Sequence, residues 1–359
     1  MKKYILTGKC LTIGVILFFI GTGIIPSIKS GLTHDKNIIT VDDEPSDADF
    51  TSIKEAVNYS SPGDIIEVYS GTYPEDRIRI AKENISLLGI SHELGEGNDS
   101  GKPFIRGNGT GTVIQVEASH VIVSNLRIEN PWSEPLVFVY CIYVGTSMGS
   151  EQNNNTISDC IIRNSTFVGI RVGSIGKNIR IINNEISYCN NTGIEANSEN
   201  FTITGNVITD CLQSGIYFGG GFQNVSGNRI RRCGNGIKFY GNNNIVYGND
   251  IENCSVGVRN LGSWGNIITK NNFKNYSRGV DWWERYSAYI IWYILLGIKK
   301  DRWIGNYWDT WIGVGPKTIF GLLFLWFTIF GEFMLMFPIP WFDFDWHPAQ
   351  EPYDITGMT

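Results

Sequence analysis

Between Ile181 and Val280 the apolar and polar positions form one short phrase that returns about every 22 residues. An aliphatic residue is followed by two spacers, Asn, one spacer, an apolar residue, a Cys-like position and a Gly-aliphatic pair. The copies read Ile181, Asn184, Ile186, Cys189, Gly193-Ile194 and Ile203, Asn206, Ile208, Cys211, Gly215-Ile216. They continue as Val225, Asn228, Ile230, Cys233, Gly236-Ile237 and Val246, Asn249, Ile251, Cys254, Gly257-Val258. A last copy has Ile268, Asn271, Phe273, Tyr276 and Gly279-Val280, and a degenerate one precedes them with Ile157, Cys160, Ile162, Ser165 and Gly169-Ile170.

A fixed period of this length marks structural units that must stack to bury their apolar faces. The apolar spacing suits short strands, with Gly and Asn at the breaks, and is too tight for helices. One circuit per repeat describes an all-β fold, a single-stranded parallel β-helix whose coils stack about 4.8 Å apart. Identical residues then lie above one another. Asn184, Asn206, Asn228, Asn249 and Asn271 are expected to bond their amides from coil to coil, and Asn tolerates the left-handed backbone of a turn. A leucine-rich repeat has a similar period, but its Leu-x-x-Leu-x-Leu frame is absent.

The organisation expected from this is a start at 1–30, a cap with first coils at 31–110, repeats at 111–280 and an aromatic cap at 281–359. Met1 to Ser30 opens with Lys2-Lys3 and turns apolar from Leu11 to Ile25, as a signal peptide or N-terminal anchor does. Phe50, Ile53, Ala56 and Val57 share one face of a short helix, placed to cover the open first coil. Strands are expected at Ile65–Val68, Ile78–Ile80 and Ile85–Gly89. After Val280 the composition shifts: nine of the eleven Trp lie between Trp282 and Trp346. The apolar run from Ile319 to Phe337 reads either as a membrane span or as a cap on the last coil; Gly321, Gly331 and Glu332 favour the cap.

Several phrases carry a family resemblance. Ile-x-Val-Asp-Asp at Ile39–Asp43, Phe-x-Ser-Ile-x-x-Ala from Phe50, Pro-Gly-Asp-x-Ile-x-Val from Pro62 and Ile-Ser-Leu-Leu-Gly from Ile85 resemble the opening of pectin-lyase-like right-handed β-helix proteins. With the repeats, the chain resembles the NosD-like group of exported proteins, as do the tail phrases Gly305–Asp309 and Phe344–Tyr353. The resemblance implies right-handed coils and a carbohydrate-related role or one in metalloenzyme assembly; about eight to ten coils are expected from the repeats.

The chemistry is less directive. A net charge of −6 with 18% charged residues argues against nucleic acid as a partner. Cys189, Cys211, Cys233 and Cys254 form one column, but no Cys-x-x-Cys pair and no His accompanies them, so they read as small interior fillers. His34, His92, His120 and His347 are scattered, and the copper role of the group is not carried over. No metal and no cofactor is expected.

Arg171, Glu195, Tyr217, Lys238, Arg259 and Asp281 follow the Gly-aliphatic pairs and form one outward column, a candidate ligand face. Asp159, Asp210, Arg231, Arg232 and Glu252 fall on nearby turns. Hydrolysis of a glycan needs two carboxylates at a set separation, and no familiar catalytic signature is visible. Eleven Asn-x-Ser/Thr sequons, Asn84, Asn108, Asn164, Asn200 and Asn224 among them, offer glycosylation acceptors. The expected function is a secreted or cell-surface protein that binds an extracellular polysaccharide or cell-surface component, or serves structurally. A polysaccharide lyase or glycoside hydrolase, and an accessory protein for metalloenzyme assembly, are the alternatives. The stretches 11–25 and 319–337 are the candidates for membrane contact.

Overall fold

The computed structural model describes residues 36–355 apart from 46–47, 96, 132–137, 147–150, 276–280, 288–300 and 330–332, with the backbone alone at 281–287, 320–329 and 333–341. The signal or anchor expected at 1–30 lies outside the described residues. Residues from Lys36 onward form one compact unit.

Three parallel sheets, here A, B and C, contain eleven, ten and eleven strands. Each circuit visits them in turn, as in Arg180–Ile182 on A, Glu185–Ser187 on B and Thr192–Ala196 on C. Register follows the sequence period: Ile181 pairs with Ile203, Ile186 with Ile208 and Ile194 with Ile216. These aliphatic columns are fully buried and make the interior. Phe218 and Phe239 stack within it at 5.0 Å. Ten circuits place a strand on each of the three sheets, within the eight to ten coils expected, and they include the coils with insertions early and late in the chain.

The three corners of a coil each use one left-handed residue. Asn183, Gly205, Gly227 and Gly248 turn A into B; Tyr188, Asp210, Arg232 and Asn253 turn B into C; Asn178, Asn200, Phe222 and Asn243 turn C into A, all with φ between 52° and 67°. Asn and Gly adopt this conformation at least cost, and Asn164 and Asn200, two of the sequons, are such corner residues.

A buried Asn follows each A-to-B corner. Asn206 shows the pattern: its backbone N and Nδ2 donate to Asn228 Oδ1 at 3.0 and 2.9 Å, and Nδ2 also donates to Ile181 O at 2.9 Å. The same bonds join Asn184, Asn206, Asn228, Asn249 and Asn271, and carry on to Asn306. A second ladder at the C-to-A corner was not visible in the repeat phrase. There Gln223, Asn244 and Asn266 take the backbone N of the preceding coil, and Asp301 ends the row.

The A and B sheets gain one more rung than the spacing showed. Arg302–Ile304 pairs with the strand at Ile267, and Tyr307–Trp308 with the strand at Asn272. The long interval before them hid this rung, although Trp303, Asn306 and Trp308 repeat the phrase. Asp345 then closes the first ladder, accepting from Asn306 N and Nδ2, Gly305 N and Trp308 Nε1 at 2.9 to 3.2 Å.

At the start, the helix Ile53–Tyr59 buries Ile53, Ala56 and Val57, and Ser52 caps it. Glu75 accepts from Ile53 N and Lys54 N at 2.9 Å, filling donors that a helix start leaves open. The apolar run 319–337 is not a single segment. It falls in an antiparallel hairpin, Lys317–Ile329 with Phe333–Asp345, whose first strand pairs in parallel with Asp281–Ser287 and so prolongs the C sheet. No helix among the described residues is long and apolar enough to cross a membrane.

Candidate functional site

On the C sheet, inward residues alternate with outward ones, as the pleat requires. Val172, Ala196, Phe218 and Phe239 point in and are fully buried or nearly so. The alternate positions Arg171, Glu195, Tyr217, Lys238, Arg259 and Asp281 lie in unbroken register on successive strands. The column extends upward through Tyr143, Gln115 and Arg79. The backbone of Asp281 takes its place in the row; its side chain is outside the described residues.

A groove of about 500 Å³ runs over the middle of this column. Arg171, Glu195, Tyr217 and Lys238 form its floor, while Phe138, Tyr140 and Phe167 stand at one end and Asn191, Thr192, Gln213 and Ser214 line the side. The aromatic end is a packed cluster: Phe138 meets Phe167 edge-on at 4.8 Å, and Tyr140 lies 5.4 Å from Tyr143. Phe138 is nevertheless 71% exposed, so a large apolar ring faces solvent beside polar groups. Tyr217 and Tyr240 form a second aromatic pair at 6.0 Å.

The charges in the groove are organised around these rings. Arg171 lies over the Tyr140 ring at 5.3 Å and 3.4 Å from Glu195 Oε1. Glu195 also accepts from Asn197 Nδ2 at 3.0 Å, and Asn197 Oδ1 accepts from the Tyr240 hydroxyl at 3.2 Å. Lys238 sits 4.9 Å over the Tyr217 ring. Its partial burial, and then the nearby Arg259 charge, lower its pKa from the ordinary lysine value. Burial raises the Tyr140 and Tyr217 hydroxyls.

The aromatic members Phe138, Tyr140, Phe167 and Tyr240 escaped the sequence reading. Phe138 and Tyr140 belong to a coil whose insertion breaks the period. Cys141-Ile142 replaces the Gly-aliphatic pair there, and Ile142 stands in register with Ile170. That aliphatic position was the available signal.

The other candidates fall elsewhere. Arg231 and Glu252 lie on the B sheet, joined at 3.0 Å. Arg232 grips Asp210 with two bonds of 2.7 Å at a corner and holds that carboxyl below its usual pKa. The carbonyl of Asp159 accepts from Lys102. The Arg231–Glu252 and Arg232–Asp210 pairs are neutralised away from the groove. Cys160, Cys189, Cys211, Cys233 and Cys254 are stacked inside with Cys141 nearby, all buried and free. The preceding cysteine in the column and burial raise the thiol pKa values of Cys211, Cys233 and Cys254, and burial pushes Cys141 and Cys160 up to about 12.

Residues 104–243 match the family model described as right handed beta helix region. The chain is a right-handed parallel β-helix. Among solved structures, this β-helix is similar to the enzymatically active domain of tailspike protein 2 of bacteriophage CBA120, at 12% identity and a TM-score of 0.52, over 76% of this chain and 40% of that one. The full-length tailspike protein 2, from an Escherichia coli O157:H7 bacteriophage, matches at 12% identity and 0.52 over 76% of this chain and 36% of that one. XylC in complex with xylose matches at 14% identity and 0.48, over 68% and 66%. The β-helix therefore spans about two fifths of the tailspike chains. No curated protein matches the sequence.

Proposed function

We propose that this β-helix binds an extended glycan along the outward face of the C sheet, outside the cytoplasm. The groove carries the reading: exposed and half-buried aromatic rings alternate with hydrogen-bonding side chains along a ribbed surface. Sugar rings present apolar C–H faces and polar rims, and this alternation supplies a partner for each. Arg171 is already matched by Glu195, which leaves Lys238 as the surplus charge on the floor and favours a carboxylated or sulfated polymer. The basic start and apolar stretch at 11–25 support export.

Binding is favoured over hydrolysis by the carboxylates. Among the described groove residues Glu195 is the one acid, and it is tied to Arg171 and Asn197. A hydrolase places two carboxyl groups about 5 to 10 Å apart. Elimination from a uronate is the second reading, because Lys238 stands beside the Tyr217 ring with a pKa lowered from the ordinary lysine value, the direction that favours a proton-abstracting amine.

A glycan array followed by calorimetry on the full chain tests the proposal. An anionic polysaccharide is expected to bind, and Tyr217→Ala to weaken it about tenfold or more, as loss of a central aromatic anchor does. Equal binding by the parent and by Tyr217→Ala and Lys238→Ala variants counts against this face. Release of unsaturated oligosaccharides, abolished by Lys238→Ala, would replace binding by the elimination reading.

A further inference from the structure

Far from the groove in sequence, Asp42, Asp43 and Glu44 follow the opening strand Ile38–Val41. Glu93 and Asp99 belong to the loop between Ser86–Gly89 and Phe104–Arg106. Carboxylate oxygens of Asp42, Asp43 and Glu44 lie within 4.8 Å of one another, and so do those of Glu44, Glu93 and Asp99. Clustered acids alone are common on protein surfaces. Here, however, Asp42 is fully buried and its Oδ2 has no hydrogen-bond partner. Asp43 Oδ1 and Glu44 Oε2 are buried and unpartnered as well.

Four other oxygens of the cluster are fixed by backbone. Asp42 Oδ1 accepts from Asp43 N at 3.1 Å, and Asp43 Oδ2 from Thr72 N at 3.0 Å. Glu93 accepts from Leu94 N at 3.0 Å and Asp99 N at 2.8 Å. Backbone crowds the cluster: a Cβ on Gly71 would stand 2.0 Å from Asp43 Oδ1, and one on Gly97 2.3 Å from Glu93 Cδ. Among the described residues no lysine or arginine forms an ion pair with any of the five. Buried carboxylates that leave an oxygen without a donor and have no counter-charge are strongly disfavoured.

We propose that Asp42, Asp43, Glu44, Glu93 and Asp99 hold a divalent cation of the calcium type. The donors are all oxygen, as a hard cation requires. Calcium–oxygen distances of about 2.3 to 2.6 Å allow ligand oxygens up to about 5 Å apart, and the oxygens within each of the two groups lie within 4.8 Å of one another. Octahedral magnesium at about 2.0 to 2.1 Å demands a tighter set. The ion ties the opening strand of the solenoid to the Glu93–Asp99 loop. It acts as a clamp on the first coils, separate from the glycan face.

The test uses the full chain freed of metal with a chelator, then titrated with calcium chloride by calorimetry and followed by thermal unfolding. Saturable binding of one ion and a rise in the melting temperature are expected, with a smaller rise in magnesium. Glu44→Gln, shared by both groups of ligands, is expected to weaken binding about tenfold or more, equivalent to about 1.4 kcal/mol. Asp42→Asn is expected to lose the calcium response while melting, metal-free, no lower than the metal-free parent, because it removes a buried repulsion. If Asp42→Asn fails to fold, Glu44→Gln decides the question alone. A parent that gives no heat and no shift with calcium overturns the proposal, as does a calcium response that survives unchanged in the variants.

Discussion

Asp42 near the start of the solenoid and Asp345 near its end are both fully buried, yet their surroundings are opposite. Asp345 receives N–H groups from Gly305, Asn306 and Trp308, closing a ladder in which every amide hands a donor to the next coil. Asp42 receives one N–H, from its neighbour Asp43, and keeps one oxygen without a donor among other carboxylates. An acceptor-only side chain is the correct terminus for a row of donors. The same side chain among acids needs a proton or a cation. Burial by itself therefore says little about whether a carboxylate stabilises this fold; the count of donors around it decides.

The largest expected break in that contrast is Asp345→Leu. It orphans the donors of Gly305, Asn306 and Trp308 together, and loss of about 3 to 5 kcal/mol is expected in denaturant titrations. Asn228→Leu, in the middle of the ladder, leaves fewer groups unpaired and should cost about 1 to 3 kcal/mol. Asp345→Asn keeps one oxygen and should fall between the parent and Asp345→Leu. Asp42→Asn should move stability the other way in metal-free protein, and equal losses at positions 42 and 345 would erase the comparison.

pH sharpens the same point. Asp42, and Asp301 at the end of the second ladder, both have folded pKa values raised to about 7, chiefly by burial. Asp301 accepts from Asn266 N, Asn266 Nδ2 and Asn260 Nδ2, which oppose that rise. For an acid raised above its unfolded value, the stabilising proton is fully effective below about pH 4 and is lost as the pH climbs through about 7. Metal-free protein is thus expected to be less stable at pH 8 than at pH 5, and Asp42→Asn to remove part of the difference. Calcium should remove the Asp42 share as well. The smallest effect belongs to the groove: Tyr217→Ala on the outward face should leave stability within about 0.5 kcal/mol of the parent while weakening glycan binding.

Much of this was legible in the residues. The phrase beginning at Ile181 implies strands, corners and the register that stacks Arg171, Glu195, Tyr217, Lys238 and Arg259. The opening helix was expected from Phe50 to Val57 and is found at Ile53–Tyr59. Three things were hidden. The second ladder has its amides just after corner residues such as Phe222 and Asn243, but no Cys or Gly partner drew them into the repeat phrase. The rung at Trp303–Trp308 is separated from its predecessor by a long interval. The aromatic end of the groove arrives from a coil with an insertion, where spacing no longer reports register.

What the sequence determined alone was the stacking of residues one coil apart wherever the repeat phrase recurs, because a constant period forces equal residues to stack in a parallel sheet. The columns of Ile, Asn and Cys and the outward C-sheet row follow from that rule. The tertiary structure decided the relations across intervals of arbitrary length. It placed Phe138 and Tyr140 beside Arg171, Glu93 beside Glu44, and Asp345 under Asn306. No period connects those pairs. Their proximity depends on how loops and the terminal hairpin close the solenoid, and that closure determines whether a buried acid meets donors or other acids.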